Sequence, residues 1–395
     1  MGNTLTAVIP KILAMGLMAL REQAIMPQLV NRAYSTDAGK KGSTIDVPQA
    51  SAVTAVAVAP AATPQATGDQ TPTSVSIALS QWYEAAFEMT DKDLQEAEDG
   101  FLPMQASQAI RALANNVDSY ILGFHTGVYG WVNEADTWSA GARTFVAPIV
   151  PFVSTTATIT TARTILNKQL APLNDRRVVL NPDSEGNALS LPAFQYAAYA
   201  GNTGVIGEGQ IGRKLGFDFA MDQNVPSHTS GTITTGLIAK AATAVALGVQ
   251  SILVTTAGSS GACALVIGDI VQFAGHTQTY VVTAACTQAA AASDATLAFA
   301  PGLKKALVGS EAITVAGSHA VNLAFHRDAF AFASRPLEGV DGLGSLITSA
   351  VDPISGLALR LEVSREHKRT RWSYDILYGA QLIRPELACR IASIP

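Results

Sequence analysis

Hydrophobic and polar positions first fall into a clear pattern with a period of two. Ile45 and Val47 alternate with polar neighbours, and Val53, Val56 and Val58 continue an extended, Ala-rich run. Further on, Val75, Ile77 and Leu79 alternate with Ser74, Ser76, Ala78 and Ser80. Side chains two apart share one face of a strand, so the two runs predict the legs of a long β-hairpin. Pro60 to Pro72 lies between them and holds three prolines and one glycine. Such a tip cannot extend a ladder and has little to bury. A two-stranded arm is marginal alone in water, so it is expected to lean on another chain.

Beyond Trp82, Tyr83, Phe87, Met89 and the acidic run Asp91 to Asp99, the period changes to 3.6. Ile110, Leu113, Ala114, Val117, Ile121 and Phe124 form one apolar stripe, with Arg111, Asn115, Asp118 and Ser119 expected to point elsewhere. Pro103 suits a first helical turn, and Gly127 and Gly130 are natural stops. The predicted helix, Pro103 to Thr126, is roughly 36 Å long at 1.5 Å per residue. Upstream, Ile12, Leu13, Leu17, Leu20 and Ala24 recur at helical spacing in a segment to about Tyr34, broken by Pro10 and Pro27. It reads as an arm packed on a second copy or as a helix docked on its own domain.

Residues 150 to 225 read as α/β. A helix opens near Thr155 and runs through Leu170, Arg177 to Pro182 is a buried strand ended by proline, Asn187 to Ala200 is a second helix, and Leu215 to Val225 is a strand stopped by Pro226. From about His228 to Ala320 the chain turns rich in Ala, Gly, Ser and Thr. Short alternating runs follow at Asp269 to Phe273, Thr279 to Thr283, Thr296 to Phe299 and Ala312 to Val315, with Gly275-His276 as a turn. This spacing predicts a small all-β unit, inserted because α/β-type material resumes afterwards. Near the end, Leu357, Leu359, Leu361 and Val363 alternate on one strand and Trp372, Tyr374, Ile376 and Tyr378 on the next, with Arg365 to Arg371 as a polar turn.

Composition sharpens this picture. Charged residues are 14% of the 395, against roughly 25% in ordinary soluble domains. Mean hydropathy is +0.23, yet no run approaches the ~18 apolar residues of a spanning helix. Ile12 to Leu20 is too short and meets Arg21-Glu22. A chain so poor in charge is expected to hide surface against partners, because interface cores are depleted in charge; a compact, Ala-rich enzyme is the competing reading. The net charge of −5 argues against a tight grip on nucleic-acid backbone, which needs a basic surface. It is compatible with an acidic shell lining.

Candidate chemistry is thin. Gly207 to Gly212 spells G-x-G-x-x-G, but a pyrophosphate cradle needs a strand before it and a helix after it, and here a strand is expected after it. Cys263, Cys286 and Cys389 are too few and scattered for a disulfide framework or a zinc site and read as buried small hydrophobes. The six histidines, His125, His228, His276, His319, His326 and His367, have no ligand spacing. Asp91, Asp93, Glu96, Glu98 and Asp99 read as a solvated face rather than a metal cluster. His367, Lys368, Arg369 and Arg371 read as a hairpin turn that pairs with acidic neighbours on another copy rather than with phosphate. The opening Met1 to Thr6 matches a myristoylation pattern loosely and by chance. The first thirty residues lack a secretory cleavage site. No catalytic, cofactor or metal residue is assigned.

The order of these elements resembles the coat proteins of tailed bacteriophages, with their Johnson-type α+β fold, and is most similar to short-tailed phage subunits that carry an inserted domain. The residues that carry the resemblance are Leu113 to Val117, Gly268 to Gly275, Asn322 to Phe332 and Tyr378 to Glu386. The resemblance implies an N-terminal arm (1–42), an extended hairpin or E-loop (43–90) and a peripheral domain with its spine helix (91–134). An axial domain (135–227), an inserted β domain (228–320) and a C-terminal return (321–395) would follow. It implies a major capsid protein without catalytic role, building an icosahedral shell of hexamers and pentamers around double-stranded DNA that it does not read by sequence. Scaffolding and portal proteins are the expected partners, with no membrane. The expected location is the virion, reached through the host cytoplasm. The Ala-rich insert and Pro-rich tip depart from the family pattern. An encapsulin-like cargo shell and a nucleotide-dependent enzyme using residues 207–212 are the alternatives.

Overall fold

The computed structural model describes residues 24–34, 44–49, 72–92, 101–139, 142–196, 208–233, 236–240, 245–256, 263–288, 293–337, 345–352 and 356–395, together with isolated positions between them. The expected arm helix before residue 24, the hairpin tip, the acidic residues 93–99 and the end of the expected helix at 197–200 lie largely or wholly outside them. The chain divides into two units. One contains Met1–Glu22, Asn31–Leu113 and Ala331–Ile383, and the other Gln23–Val30, Ala114–Phe330 and Arg384–Pro395.

In the first unit the hairpin forms at its base. Thr44–Gln49 pairs antiparallel with Thr73–Ala78, in the register Thr44 to Ala78 through Gln49 to Thr73. The alternation does what it predicted: Ile45, Val47, Ile77 and Leu79 share a face and pack on Ala331, Ala333 and Ile383. Burying each of the three larger aliphatics is worth about 1.5–3 kcal/mol. The hairpin comes so close to the neighbouring sheet that a Cβ on Gly379 would lie 2.2 Å from the Ala78 carbonyl oxygen, which restricts the site to glycine.

That neighbouring sheet runs in the order Phe330–Arg335, Arg369–Leu382, Ala358–Glu366, Ser345–Val351, and Gln81–Thr90 also pairs with Arg369–Leu382. The expected polar turn at 365–371 is much tighter. Glu366 already pairs with Arg369, and only His367 (φ 40°) and Lys368 (φ 63°) turn the chain. Two consecutive left-handed residues match the twist of a two-residue hairpin. Polar side chains at 365–371 thus mark a solvated end of the ladder, not a loop.

The long helix, Phe101–Gly123, belongs to the first unit up to Leu113 and to the second from Ala114, and a 3-10 turn, Phe124–Gly127, follows it. Ile110, Leu113, Ala114, Val117 and Ile121 are buried as their spacing predicts. Asp118 departs from expectation: it is buried and accepts hydrogen bonds from the backbone amides of Ile25 (3.1 Å) and Met26 (3.0 Å). Pro27, expected to break a helix, instead sits in the first turn of the short helix Met26–Leu29.

Seven strands form the central sheet of this unit, ordered Gly130–Val132, Ala388–Ser393, His319–His326, Arg176–Leu180, Phe217–Met221, Arg213–Lys214, with Ser227–His228 alongside His319–His326. Every residue of His319–His326 and Ala388–Ser393 is buried. Buried on both faces, these strands carry no alternation. The helix Ala157–Lys168 packs on this sheet; Thr155 Oγ1 accepts from the Ala157 amide at 3.3 Å. The next helix begins earlier than the expected Asn187. It runs Pro182–Ser190, capped by the Asn181 side chain accepting from the Ser184 amide, with Pro182, Asp183 and Glu185 in its first turn. A second short helix, Pro192–Gln195, follows it.

Between residues 237 and 315 the chain closes a six-stranded barrel, ordered Leu237–Ala239, Ser251–Thr256, Ala295–Ala300, Tyr280–Val282, Ile270–Phe273, Ala312–Val315. Leu237, Val254, Phe273, Tyr280, Leu297, Phe299, Leu307 and Ile313 fill it. The rings of Phe273, Tyr280 and Phe299 lie 5.2–5.4 Å apart, edge to face. Ser251–Thr256 alternates exposed and buried, as a barrel strand with a wet outside should. Ile270–Phe273 and Tyr280–Val282 are buried throughout. Their outer face packs, through Ile270 and Val281, on Tyr129, Trp131 and Ala392 of the central sheet and its approach.

Candidate functional site

The described residues offer two regions with developed chemistry, one in each unit. On the first unit's sheet, the long strand Arg369–Leu382 faces Gln81–Thr90, and their side chains form a ladder. Tyr83 stacks on Tyr378 and Phe87 on Trp372, at 6.3 and 5.4 Å between centroids. Arg371 pairs with Glu84 at 2.5 Å, Arg369 with Glu88 at 3.2 Å and Arg365 with Asp91 at 2.6 Å, all substantially exposed. The basic cluster therefore finds its acidic partners on its own chain, contrary to the expectation of partners on another copy. Register sets this pairing: Glu88 lies opposite Arg371 and Thr90 opposite Arg369, so each arginine reaches its carboxylate diagonally along the ladder. Trp82 is 62% exposed, yet its indole donates to Asp375 Oδ2 at 2.9 Å. Arg360 holds the same carboxylate through a two-pronged ion pair, with Nε to Oδ1 at 2.8 Å.

In the second unit a buried polar seam joins the barrel segment to the central sheet. Asp269, fully buried, accepts from the amides of Val266 and Gly231 and contacts His228 Nε2 at 2.9 Å. Gly231 is required there, because a Cβ would stand 2.1 Å from the Ala264 carbonyl oxygen. Arg390, also fully buried, donates from Nη1 to the Gly268 carbonyl at 2.8 Å, and Thr279 donates to the Tyr129 carbonyl at 2.7 Å. Histidines scattered along the sequence converge here. His125 and His319 flank His228, with ring centroids 5.8 and 5.4 Å from it, and Trp131 meets His319 edge to face at 4.6 Å. Burial, with Arg390 next to them, pushes His125 and His319 down to about 3. Nothing in the spacing 125, 228, 319 signalled this convergence.

The remaining candidates behave as structural residues. His276 Nδ1 contacts the Tyr280 hydroxyl at 3.0 Å inside the barrel, His326 Nδ1 accepts from the Asp328 amide, and His367 forms the two-residue turn. Cys263, Cys286 and Cys389 are buried free thiols. Cys263 and Cys286 nevertheless hydrogen-bond each other, and burial raises both. Within 207–212 the described glycines Gly209 and Gly212 have φ of 68° and 65°, and the strand Arg213–Lys214 follows. A helix N-terminus for a pyrophosphate is not what comes next. A polar cleft of about 280 Å³ lies beside Thr161, Thr164, Gln169 and Thr277 to Thr279. Among the described residues, no three His, Cys, Asp or Glu side chains are placed to hold a metal ion, and no helix is long and apolar enough to cross a membrane.

Known proteins supply the comparison for this fold. Residues 72–259 match the phage capsid protein family. Among solved structures, the capsid of cyanophage P-SCSP1u aligns with a TM-score of 0.50 and 11% identity, covering 94% of this chain and 88% of that one. A chain from Mycobacterium phage Che8 aligns with a TM-score of 0.49 and 15% identity over 93% and 91%. One from Gordonia phage Cozz aligns with a TM-score of 0.47 and 11% identity over 94% and 87%. Comparison with curated protein sequences finds no match. The chain is thus similar over residues 72–259 to the phage capsid protein family, and it shares along nearly its whole length the fold of the cyanophage P-SCSP1u capsid chain.

Proposed function

We propose that this chain is a phage major capsid protein, assembling as hexamers and pentamers of an icosahedral shell that encloses double-stranded DNA, with scaffolding and portal proteins as partners and assembly in the host cytoplasm. In this reading residues 1–42 are the arm, 43–90 the E-loop, 91–134 the peripheral segment with its spine helix, 135–227 the axial domain, 228–320 the insert and 321–395 the return. The observation that carries it is the hairpin. Its base is fixed by the Thr44–Ala78 register, while beyond the paired end Val53 and Val58 are 72% and 87% exposed. Apolar side chains so exposed are suited to lie against a neighbour. The Gln81–Thr90 strand adds a second contact surface. Among the described residues it pairs only with Arg369–Leu382, and a free edge is a template for other chains.

The chain acts by assembly and without catalysis. Expression of the full chain, with scaffold where required, should give capsomers or shells by sedimentation and negative-stain microscopy. A stable monomer with measurable turnover would overturn the reading. DNA and a portal ring inside the particles distinguish a phage capsid from a protein-cargo shell.

A further inference from the structure

The buried histidine cluster has an arrangement that its structural surroundings do not require. His125 Nδ1 lies 3.0 Å from the Leu122 carbonyl oxygen and His319 Nδ1 2.8 Å from that of Gly317. A carbonyl only accepts, so in both rings Nδ1 carries the proton and, in the neutral form, Nε2 is a bare acceptor. Both Nε2 atoms are buried without a hydrogen-bond partner, as are Nε and Nη2 of Arg390. The facing groups come from every element packed there. His125 follows the long helix, and His228 is on its short strand with Asp269 against it. Trp131 lies on the edge strand, with Asp136 and Arg143 behind it. Cys389 and Arg390 are on the last strand. Asp269 is the anion nearest Arg390, and its oxygens are already shared among His228 and two backbone amides. The chemistry these imidazoles carry is gain and loss of protons.

We propose that His125 and His319, packed on either side of His228, form an acid-operated latch. While these two imidazoles are neutral, the barrel segment seats on the last strand through the Gly268–Arg390 contact; protonation of His125 and His319 drives that seam apart. A proton on either ring places a second cation beside the Arg390 guanidinium, which burial lowers to about 9 and which is charged below that, in a buried site whose nearest carboxylate, Asp269, is already engaged. The sign follows from the direction of the shifts. Closed, both rings are held down at about 3. Opened to water they return to about 6.5, so the open state binds more protons throughout that interval. The closed seam therefore has its full stability above about pH 6.5 and loses it as pH falls. Each histidine contributes up to about a tenfold increase in opening per pH unit.

Amide hydrogen exchange on the full chain, corrected for intrinsic rates at pH 7.5, 6.5, 5.5 and 5.0, tests this in peptides covering 264–283 and 386–393. Opening should rise by up to about a hundredfold per pH unit below 6.5, while the His125→Gln, His319→Gln double variant should stay nearly flat over the same range. Nitrogen chemical shifts of the unsubstituted protein give a readout that does not depend on a variant folding: both rings should be Nδ1–H tautomers and resist titration until the seam opens. Protection that is unchanged down to pH 5.0 would overturn the latch. So would an equal acid loss in the double variant, or ordinary titration near 6.5 with the seam still closed.

Discussion

The sheet that holds Arg371 and the seam that holds Arg390 place the same side chain in opposite settings. Arg371, paired with Glu84, is about half exposed, and water and salt screen most of the attraction. Arg390 is wholly buried, its counter-charge Asp269 is held by backbone amides, and part of its donor set has no partner. One region uses charge where it is inexpensive, along a surface ladder whose strength comes from backbone pairing and stacked rings. The other uses charge where removal of a partner leaves an uncompensated ion in a dry site. Charge count therefore says little about stability here, and location says nearly everything.

The largest expected effects are at the buried end of this contrast. Asp269→Ala should cost about 3–5 kcal/mol by denaturant unfolding, because it strands the Arg390 charge. If the loss is below about 1 kcal/mol, the seam is wetter than its burial implies. Phe299→Ala should cost a similar ~3–5 kcal/mol through the cavity left in the barrel. Comparing the two separates electrostatic from packing support of the barrel segment.

A pH-dependent effect should come next. Burial, reinforced by Asp222, raises Asp118 to about 8 against the pull of two backbone amides. The folded state then holds a proton that the unfolded state releases near 4, so this group's contribution to stability falls as pH rises from about 4 to 8. The slope is up to about 1.4 kcal/mol per pH unit. In thermal melts at pH 5, 6.5 and 8, Asp118→Asn should flatten that decline. An unchanged slope would place its origin elsewhere.

The smallest effect belongs to the surface ladder. Arg371→Ala and Arg369→Ala should each cost about 0.2–1 kcal/mol, and most of that should vanish in 0.5 M salt. A larger, salt-resistant loss would mean that the ladder is less solvated than its exposure implies and that the contrast with the seam narrows.

Local periodicity was a good guide wherever one face of an element meets water. It placed the paired base of the hairpin, the long helix and four of the six barrel strands to within about three residues, whereas the expected first leg ran on to Val58 and the described strand ends at Gln49. It failed where burial is two-sided or the signal is unconventional. Asp118 sits on the flank of an apolar stripe and looked like a solvent residue until Ile25 and Met26 supplied amide donors. The two-residue turn at His367-Lys368 has no glycine or asparagine to announce left-handed backbone. Asn181-Pro182 was read as the end of a strand, although it also caps the following helix.

By itself the sequence determined most element types, their order along the chain and the low share of charge, because these follow from side-chain spacing and composition. Tertiary structure decided that a barrel closes between 237 and 315, that Glu84 and Glu88 pair with Arg371 and Arg369, and that His125, His228 and His319 share one buried site with Arg390. Those outcomes depend on register and on contacts between residues up to hundreds of positions apart. Such contacts are selected by the simultaneous burial of many faces, and a single stretch of sequence does not encode that.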